Sequence, residues 1–102
     1  MEFKIIALKF FSEQVSGLDE KTKRIISDKI RLIKQNPFRY KKVHSRKYSR
    51  VFSVRLSIGR SATRMIYAIL GRKLVMVCLL DRKKGYKDLE KYLENIRKEL
   101  GL

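Results

Sequence analysis

Three arginines and one tyrosine are the residues of this sequence whose types and spacing could do chemistry. Arg55, Arg64 and Arg82 carry guanidinium groups, which stay protonated and donate in a fork that matches phosphate oxygens. Such a cluster can bind a phosphodiester and stabilise the charge that builds on it during cleavage. Tyr86 follows Arg82 by four residues and offers a ring for stacking on a base or a hydroxyl for proton transfer. RNA supplies its own nucleophile, the 2′-hydroxyl, so this chemistry requires no metal ion.

Other kinds of chemistry are poorly supported. The acidic residues lie in the first helical region and at the C-terminal end, so no carboxylate pair for glycosidase or two-metal chemistry is indicated. The single histidine, His44, falls in a basic connection, where it is either solvated or a general base. Cys78 lies in an apolar segment and is predicted to be a core residue. With one cysteine and one histidine, no disulfide or Cys/His metal cluster can form, and we predict no metal and no cofactor.

The charge distribution points to an anionic partner. The net charge is +16 at pH 7, and no acidic residue occurs between Asp28 and Asp81. An acid-free basic block repels itself until such a partner neutralises it. Nucleic acid is the first candidate, an acidic protein the second and an anionic membrane surface the third. A basic surface without a partner is the remaining alternative. The block contains 14 basic residues: Lys29, Arg31, Lys34, Arg39, Lys41, Lys42, Arg46, Lys47, Arg50, Arg55, Arg60, Arg64, Arg72 and Lys73.

The composition predicts a single domain over residues 1–102. The chain is 44% hydrophobic and 35% charged, which suits one compact core. No apolar stretch approaches the roughly 20 residues of a membrane-spanning helix. Met1–Phe11 lacks the apolar core and small-residue cleavage site of a signal peptide. We therefore expect a soluble cytoplasmic protein.

The first part of the chain is predicted to form a strand followed by helix. Phe3–Phe10 is rich in aromatic and β-branched residues and is expected to be a strand, with a short helical turn over Ser12–Ser16. Asp19 is the predicted N-cap of a helix that runs to about Gln35 and ends at Asn36–Pro37, because the residue before a proline avoids the helical conformation. One apolar face of this helix should pack on a sheet. That face consists of Ile25, Ile26, Ile30, Leu32 and Ile33.

The rest of the chain is predicted to form three strands and a helix. Phe38–Arg50 is polar and basic and is expected to be an exposed connection. Val51–Ile58 alternates apolar and polar residues, and Ala62–Leu70 follows as a second strand. Lys73–Leu80 is the most apolar strand and the predicted centre of the sheet. Tyr86–Leu100 has one apolar stripe and is predicted to be an amphipathic helix.

These elements define an α+β domain with the order β-α(α)-β-β-β-α. The three late strands should form an antiparallel meander, and the first strand must join the same sheet to bury its side chains. The helices are expected to pack on one face of the sheet, which leaves Arg55 and Arg64 on the other. A meander brings the two strands and the segment with Arg82 together. Composition alone favours a site that binds nucleic acid or a partner without catalysing a reaction.

The order of elements and two segments resemble the RelE/ParE superfamily, the small toxins of bacterial and archaeal toxin–antitoxin pairs. One segment is Arg64–Tyr67 (RMIY) in the third of the predicted strands counted from the N-terminus, and the other is Leu79–Tyr86 (LLDRKKGY). The helix that ends at Asn36–Pro37 before a basic connection also fits. The likeness covers nearly the whole chain in layout, and its short motifs gain specificity from their order and spacing.

The resemblance implies a function and roles for particular residues. The RelE branch cleaves messenger RNA in the ribosomal A site without a metal and leaves a 2′,3′-cyclic phosphate. By this resemblance Arg64 would hold the scissile phosphate, Arg82 would stabilise the charge of the transition state, and Tyr86 would stack on or activate the substrate. The branch has two basic residues, two apart, on the preceding strand, whereas here Arg55 stands between Ser53 and Ser57. The further residues predicted to contact RNA are Arg60, which could replace the missing member of that pair, and Lys47, Arg50, Lys83 and Lys84.

The resemblance also implies partners and leaves two alternatives open. Members are neutralised by an antitoxin, a separate chain that wraps the toxin, and the acid-free block is a natural surface for it. The expected partners are thus an antitoxin, messenger RNA and the ribosome. The ParE branch poisons DNA gyrase instead, and the set of Arg64, Arg82 and Tyr86 favours the ribonuclease branch over it. A nucleic-acid-binding protein without catalysis is the other alternative.

Overall fold

The computed structural model describes residues 2–101 as five strands in one sheet and three α-helices. The helices are α1 (Lys9–Ser16), α2 (Glu20–Gln35) and α3 (Leu89–Leu100), and a short 3-10 helix spans Arg82–Lys84. The strands are β1 (Lys4–Ala7), β2 (Lys41–Val43), β3 (Val51–Ile58), β4 (Ser61–Leu70) and β5 (Lys73–Asp81).

The sheet has the order β1-β5-β4-β3-β2. Strands β3, β4 and β5 form the predicted antiparallel meander, and β1 joins it parallel to β5. The prediction of an α+β fold with one antiparallel-rich sheet is therefore confirmed. The central strand is β4 rather than β5, because the short β2 adds to the far side of β3.

The long helix begins and ends where the sequence predicts. The Asp19 carboxylate accepts a hydrogen bond from the Thr22 backbone N–H at 3.0 Å, and the hydrogen bonds from Thr22 lower the pKa of this carboxyl. This is the standard way in which an N-cap satisfies a free amide of the first helical turn. The helix ends at Gln35, directly before Asn36–Pro37.

Three predicted assignments are wrong. The helix expected over Tyr86–Leu100 begins only at Leu89, because residues 85–88 form a turn. The strand expected over Phe3–Phe10 stops at Ala7, because the chain turns at buried Leu8 and α1 follows from Lys9. The Leu8 N–H still donates to Met76 of β5, while its carbonyl accepts from Ser12 N in the new helix. The basic connection over Phe38–Arg50 contains a strand, β2, at the edge of the sheet.

The helices cover both faces of the sheet, so the prediction that they pack on one face is wrong. We call the face under α1 and α2 the first face, where Phe11, Ile26 and Ile33 pack on the sheet. We call the other the second face, where α3 buries Leu89, Leu93 and Ile96. Strands β4 and β5 lie inside the sheet and are apolar on both sides, as strands covered from both faces must be. Their alternate residues consequently enter two separate cores.

The apolar side of α2 is wider than the surface that the sheet offers it. Ile26 and Ile33 are buried and Ile30 is half-buried, as predicted. Ile25 and Leu32 are instead 38% and 49% exposed, so the expectation that they pack on the sheet is wrong.

Cys78 is fully buried in the second core, as predicted. Burial raises the pKa of its thiol to about 12, because an apolar surrounding disfavours the charged thiolate. At neutral pH the group is a protonated core side chain and not a nucleophile.

Tyr67 joins the centre of the sheet to the end of α2. Its ring is buried and stacks on Phe52 of β3 with ring centroids 5.3 Å apart. Its hydroxyl donates to the backbone carbonyl of Pro37, just after α2. Burial raises the pKa of the Tyr67 phenol above its ordinary value.

Replacement of Tyr67 by phenylalanine should destabilise the protein near neutral pH by about 1–2 kcal/mol, because the buried Pro37 carbonyl loses its donor. The free energies of unfolding of the two proteins in urea, compared from pH 7 to pH 11, measure this. Since ionisation of Tyr67 is disfavoured only in the folded state, its contribution persists below the unfolded pKa near 10. Above that pH the advantage of the wild type over Tyr67→Phe should fall by about 1.4 kcal/mol per pH unit. A constant difference across this range would contradict the buried, hydrogen-bonded phenol.

Candidate functional site

Arg55 and Arg64 are direct cross-strand neighbours on the second face. Arg55 of β3 pairs in register with Arg64 of β4, and Arg64 pairs on its other side with Leu80 of β5. Arg55 is exposed and Arg64 is half-buried. Like charges directly opposite each other destabilise a sheet, so this arrangement favours an anion that both guanidinium groups can bind. The predicted proximity of these two arginines is confirmed.

The ring of Tyr86 lies under the guanidinium of Arg64. The distance from Arg64 Cζ to the ring centroid is 4.5 Å, within the range of a cation–π interaction. The ring thus restrains Arg64, which makes no ion pair within the part of the chain that the structure describes. The Tyr86 hydroxyl is buried and has no hydrogen-bond partner there.

A tight turn brings the chain from β5 back to Tyr86. Asp81 ends the strand, and its carboxylate accepts a hydrogen bond from Lys83 N at 2.9 Å, which starts the 3-10 helix over Arg82–Lys84. Gly85 then adopts φ 61° and ψ −139°, a conformation that is essentially confined to glycine. Asp81 therefore has a local structural role. The turn leaves Arg82, Lys83 and Lys84 exposed, beside the strand end that pairs with Arg64.

The end of β5 is held by a side chain that the sequence analysis missed. Strand β1 pairs with β5 only as far as Met76. Beyond it, the Gln14 side chain of α1 donates to Leu79 O at 3.0 Å and accepts from Leu79 N at 2.7 Å. A glutamine in a short amphipathic helix gives no signal of such a contact in the sequence.

The remaining predicted RNA-contacting residues do not join this cluster. Arg60 is exposed in the turn between β3 and β4. The Arg50 guanidinium lies over the ring of Phe38 at 5.7 Å, and Phe38 in turn contacts Phe52 of the first core. Lys47 forms a salt bridge with Glu94 of α3.

Helix α3 neutralises part of the basic connection, which the sequence analysis did not anticipate. The Glu90 carboxylate accepts hydrogen bonds from Arg46 N and Ser45 Oγ. The hydrogen bond from Lys47 lowers the pKa of Glu94, and the charges of Lys47 and Arg97 act in the same direction. Both acidic residues come after the acid-free block in the sequence, but in the folded protein they contact residues of that block. The block is therefore free of acidic residues in sequence and not in space.

Within residues 2–101 no group of three or more His, Cys, Asp and Glu side chains is placed to hold a metal ion. No helix among these residues is long and apolar enough to cross a membrane. The groups that the structure brings together here are the side chains of Arg55 and Arg64 and the ring of Tyr86, with Arg82 in the adjoining turn. Such a set can bind an anion, orient it and stabilise added negative charge.

The comparisons with known proteins identify the fold. No protein-family model matches the sequence, and no curated protein is significantly similar to it. The structure is similar to that of the E. coli toxin RelE in the free state, solved as a variant with two arginines replaced by alanine. The TM-score is 0.69 at 13% sequence identity, over 97% of this chain and 99% of the RelE chain. The chain therefore has a RelE-like fold.

The Arg55→Gln variant should be more stable than the wild type at low salt, by about 0.5 kcal/mol, because it removes the repulsion from Arg64. The gain should shrink at 0.5 M NaCl, where screening acts within a few ångströms. Urea unfolding at the two salt concentrations measures this, and Arg60→Gln in the adjacent turn is the matched control, since that arginine has no cross-strand arginine opposite it. Equal behaviour of the two variants would contradict a repulsive pair at the centre of the site.

Proposed function

We propose that this protein is a toxin of the RelE type that cleaves messenger RNA on the ribosome without a metal ion. The observation that carries the proposal is the like-charged pair of Arg55 and Arg64 on an uncovered part of the sheet, with Arg64 resting on Tyr86. A pair that repels without an anion and has no acidic partner within the described residues is suited to a phosphodiester. The RelE-like fold supports the same conclusion.

The proposed reaction uses the 2′-hydroxyl of the RNA as the nucleophile. Its oxygen attacks the adjacent phosphorus, the bond from phosphorus to the 5′-oxygen breaks, and the products are a 2′,3′-cyclic phosphate and a 5′-hydroxyl. Arg64 and Arg55 would bind the non-bridging oxygens, and Arg82 would stabilise the charge on the leaving oxygen. Arginine cannot accept a proton at neutral pH, so the 2′-hydroxyl proton would pass to solvent, and solvent would protonate the leaving group.

The exposed cations around this pair would contact the rest of the substrate. Arg60, Lys83 and Lys84 are exposed on the hairpin turn and the turn after β5. They would bind backbone phosphates, which position RNA without reading its sequence. Arg50, which lies over Phe38, would add to the positive field of the surface, whereas Glu94 neutralises Lys47. The proposed partners are ribosome-bound messenger RNA and a separate antitoxin chain, and the proposed location is the cytoplasm.

One observation favours a second candidate, a nucleic-acid-binding protein without catalysis. The Tyr86 hydroxyl is buried, so in this conformation it cannot reach a substrate to transfer a proton. In that case the same arginines would bind RNA or DNA with steep salt dependence and leave it intact.

Expression of the chain alone in growing bacteria should arrest growth and produce messenger RNA cuts inside translated codons. Mapping of RNA 5′ ends measures this, beside Arg64→Ala, Arg82→Ala and a control, Arg24→Ala, whose arginine is exposed on α2 across the sheet. The first two variants should lower the cleavage rate by about 100-fold, the scale of a lost transition-state contact, and the control should match the wild type.

The other outcomes distinguish the alternatives. Arrest without RNA cuts would favour a gyrase-directed toxin, which inhibition of DNA supercoiling would then reveal. Absence of both effects, with tight salt-dependent RNA binding, would favour the non-catalytic protein. Full activity of Arg64→Ala or Arg82→Ala would contradict the proposed roles.

We propose that Tyr86 acts through its ring and not through its hydroxyl. Tyr86→Phe should keep the RNA cleavage rate within about threefold of the wild type, since a general acid or base would contribute at least about 100-fold. Its stability should rise by about 1 kcal/mol, because an unpartnered hydroxyl leaves the interior. Tyr86→Leu should lose cleavage, because Arg64 loses its support. Rates with purified ribosomes check both variants, and a 100-fold loss in Tyr86→Phe would instead assign proton transfer to the hydroxyl.

A further inference from the structure

We infer that Gln14 is a positioning residue for the site formed by Arg55, Arg64 and Arg82. Gln14 itself lies in α1, whereas these arginines lie on the second face and in the turn after β5. The part of this inference that concerns catalysis rests on the proposed function. The structural part stands on the contacts of Gln14 alone. The Gln14 amide makes two hydrogen bonds to the backbone of Leu79, one as donor and one as acceptor, as a neighbouring strand would.

The amide acts where the sheet has lost a strand. Strand β1 pairs with Lys73–Met76 of β5, and β5 then continues to Asp81 without β1 beside it. The ladder between β4 and β5 is irregular at the same level, because the pairing steps from Cys78 to Met76 across Ile66 and Tyr67. After this bulge, which locally disrupts the ladder, β5 is paired on one side only, with β4. Gln14 supplies the missing backbone partners at Leu79.

Leu79 also packs its side chain on the first core, but the open space around Gln14 shows that the Leu79 backbone has no strand on that side. Two open cavities, of about 240 and 370 Å³, flank the contact, and Gln14, Leu79 and Asp81 line both of them. The Gln14 side chain therefore crosses a gap between α1 and β5. Helix α1 itself is fixed elsewhere, by buried Phe11 and by the stack of Phe10 on Tyr92 of α3.

A short path joins the amide to the site. Leu80, the residue after Leu79, pairs with Arg64 in β4. Asp81 follows and caps the turn that carries Arg82 and leads to Tyr86. A shift of Leu79 would thus move the neighbour of Arg64 and the base of the turn together. Since misplacement of a reacting group by about 1 Å can cost about 100-fold in rate, the Leu79 contact is a sensitive point for catalysis.

The decisive variant is Gln14→Glu. An ionised carboxylate can accept from Leu79 N, but it repels the Leu79 carbonyl that Gln14 now donates to. A protonated carboxyl again offers one donor and one acceptor and restores both bonds. Titration of Gln14→Glu from pH 7 to pH 3, across the ordinary glutamate pKa near 4.3, should therefore restore both hydrogen bonds. Asp81, Lys84, Lys87 and Asp88 line the same cavity, so the wild type at each pH is the reference.

The first measurement is the NMR signals of the Leu79 amide and of Arg64 Nε–H, whose shift reports the Tyr86 ring beneath it. In Gln14→Glu both signals should be displaced at pH 7 and move to the wild-type positions at pH 3. Gln14→Leu, which has similar volume and no hydrogen bond, should be displaced at both pH values. Glu13→Gln, an exposed neighbour on the same helix, should match the wild type. These signals require no enzymatic activity.

The second measurement is the rate of RNA cleavage at pH 7. Gln14→Leu should lower kcat by about 10- to 100-fold and leave KM within about twofold, at a temperature where thermal unfolding shows the variant folded. Unmoved Arg64 signals in both variants, or no return of the Gln14→Glu signals at pH 3, would overturn the inference. Displaced signals with no cleavage by the wild type would uphold the positioning contact and reject the proposed function.

Discussion

The placement of two arginines opposite each other on adjacent strands is the constraint on which the proposed site depends. Arg55 and Arg64 lie opposite each other on adjacent strands, and the antiparallel register keeps their Cβ atoms within about 5.5 Å of each other. A protein can keep such a pair only if the surrounding sheet is stable enough to hold it. Here β4 is the central strand, and its residues Met65 to Ala68 are fully buried. The two cores, one on each face, hold the register that keeps the arginines together.

The placement of helices determines where the sheet remains open. Helix α3 covers part of the second face and shares its core with Ile66, Val75 and Cys78. The end of the β3–β4 hairpin that carries the arginine pair remains accessible. Tyr86 lies between the covered and the open part of the second face, because its ring packs against the second core and supports Arg64. The same residue thereby belongs to the core and to the site, and its buried hydroxyl follows from that double position.

Much of this arrangement can be predicted from the sequence, and the limits have physical causes. The alternation over Val51–Ile58 and the Asp19 cap are local signals, and both elements form where predicted. The pairing of Arg55 with Arg64 follows from the meander. The position of α3 does not, because an amphipathic stripe says that a helix is covered but not by which face of a sheet. Gln14 also escapes prediction, since its partner is a backbone group 65 residues away.

The most direct test of the account is an NMR titration with a short RNA that carries a 2′-deoxy group at the cleavage position, so that it binds without being cut. The account predicts that the side-chain Nε–H signals of Arg55 and Arg64 shift together with a single dissociation constant. That constant should weaken as salt rises, as expected for phosphate contacts. Shifts confined to the exposed residues of the basic connection, with Arg55 and Arg64 unmoved, would contradict the central claim that this pair is the phosphate site.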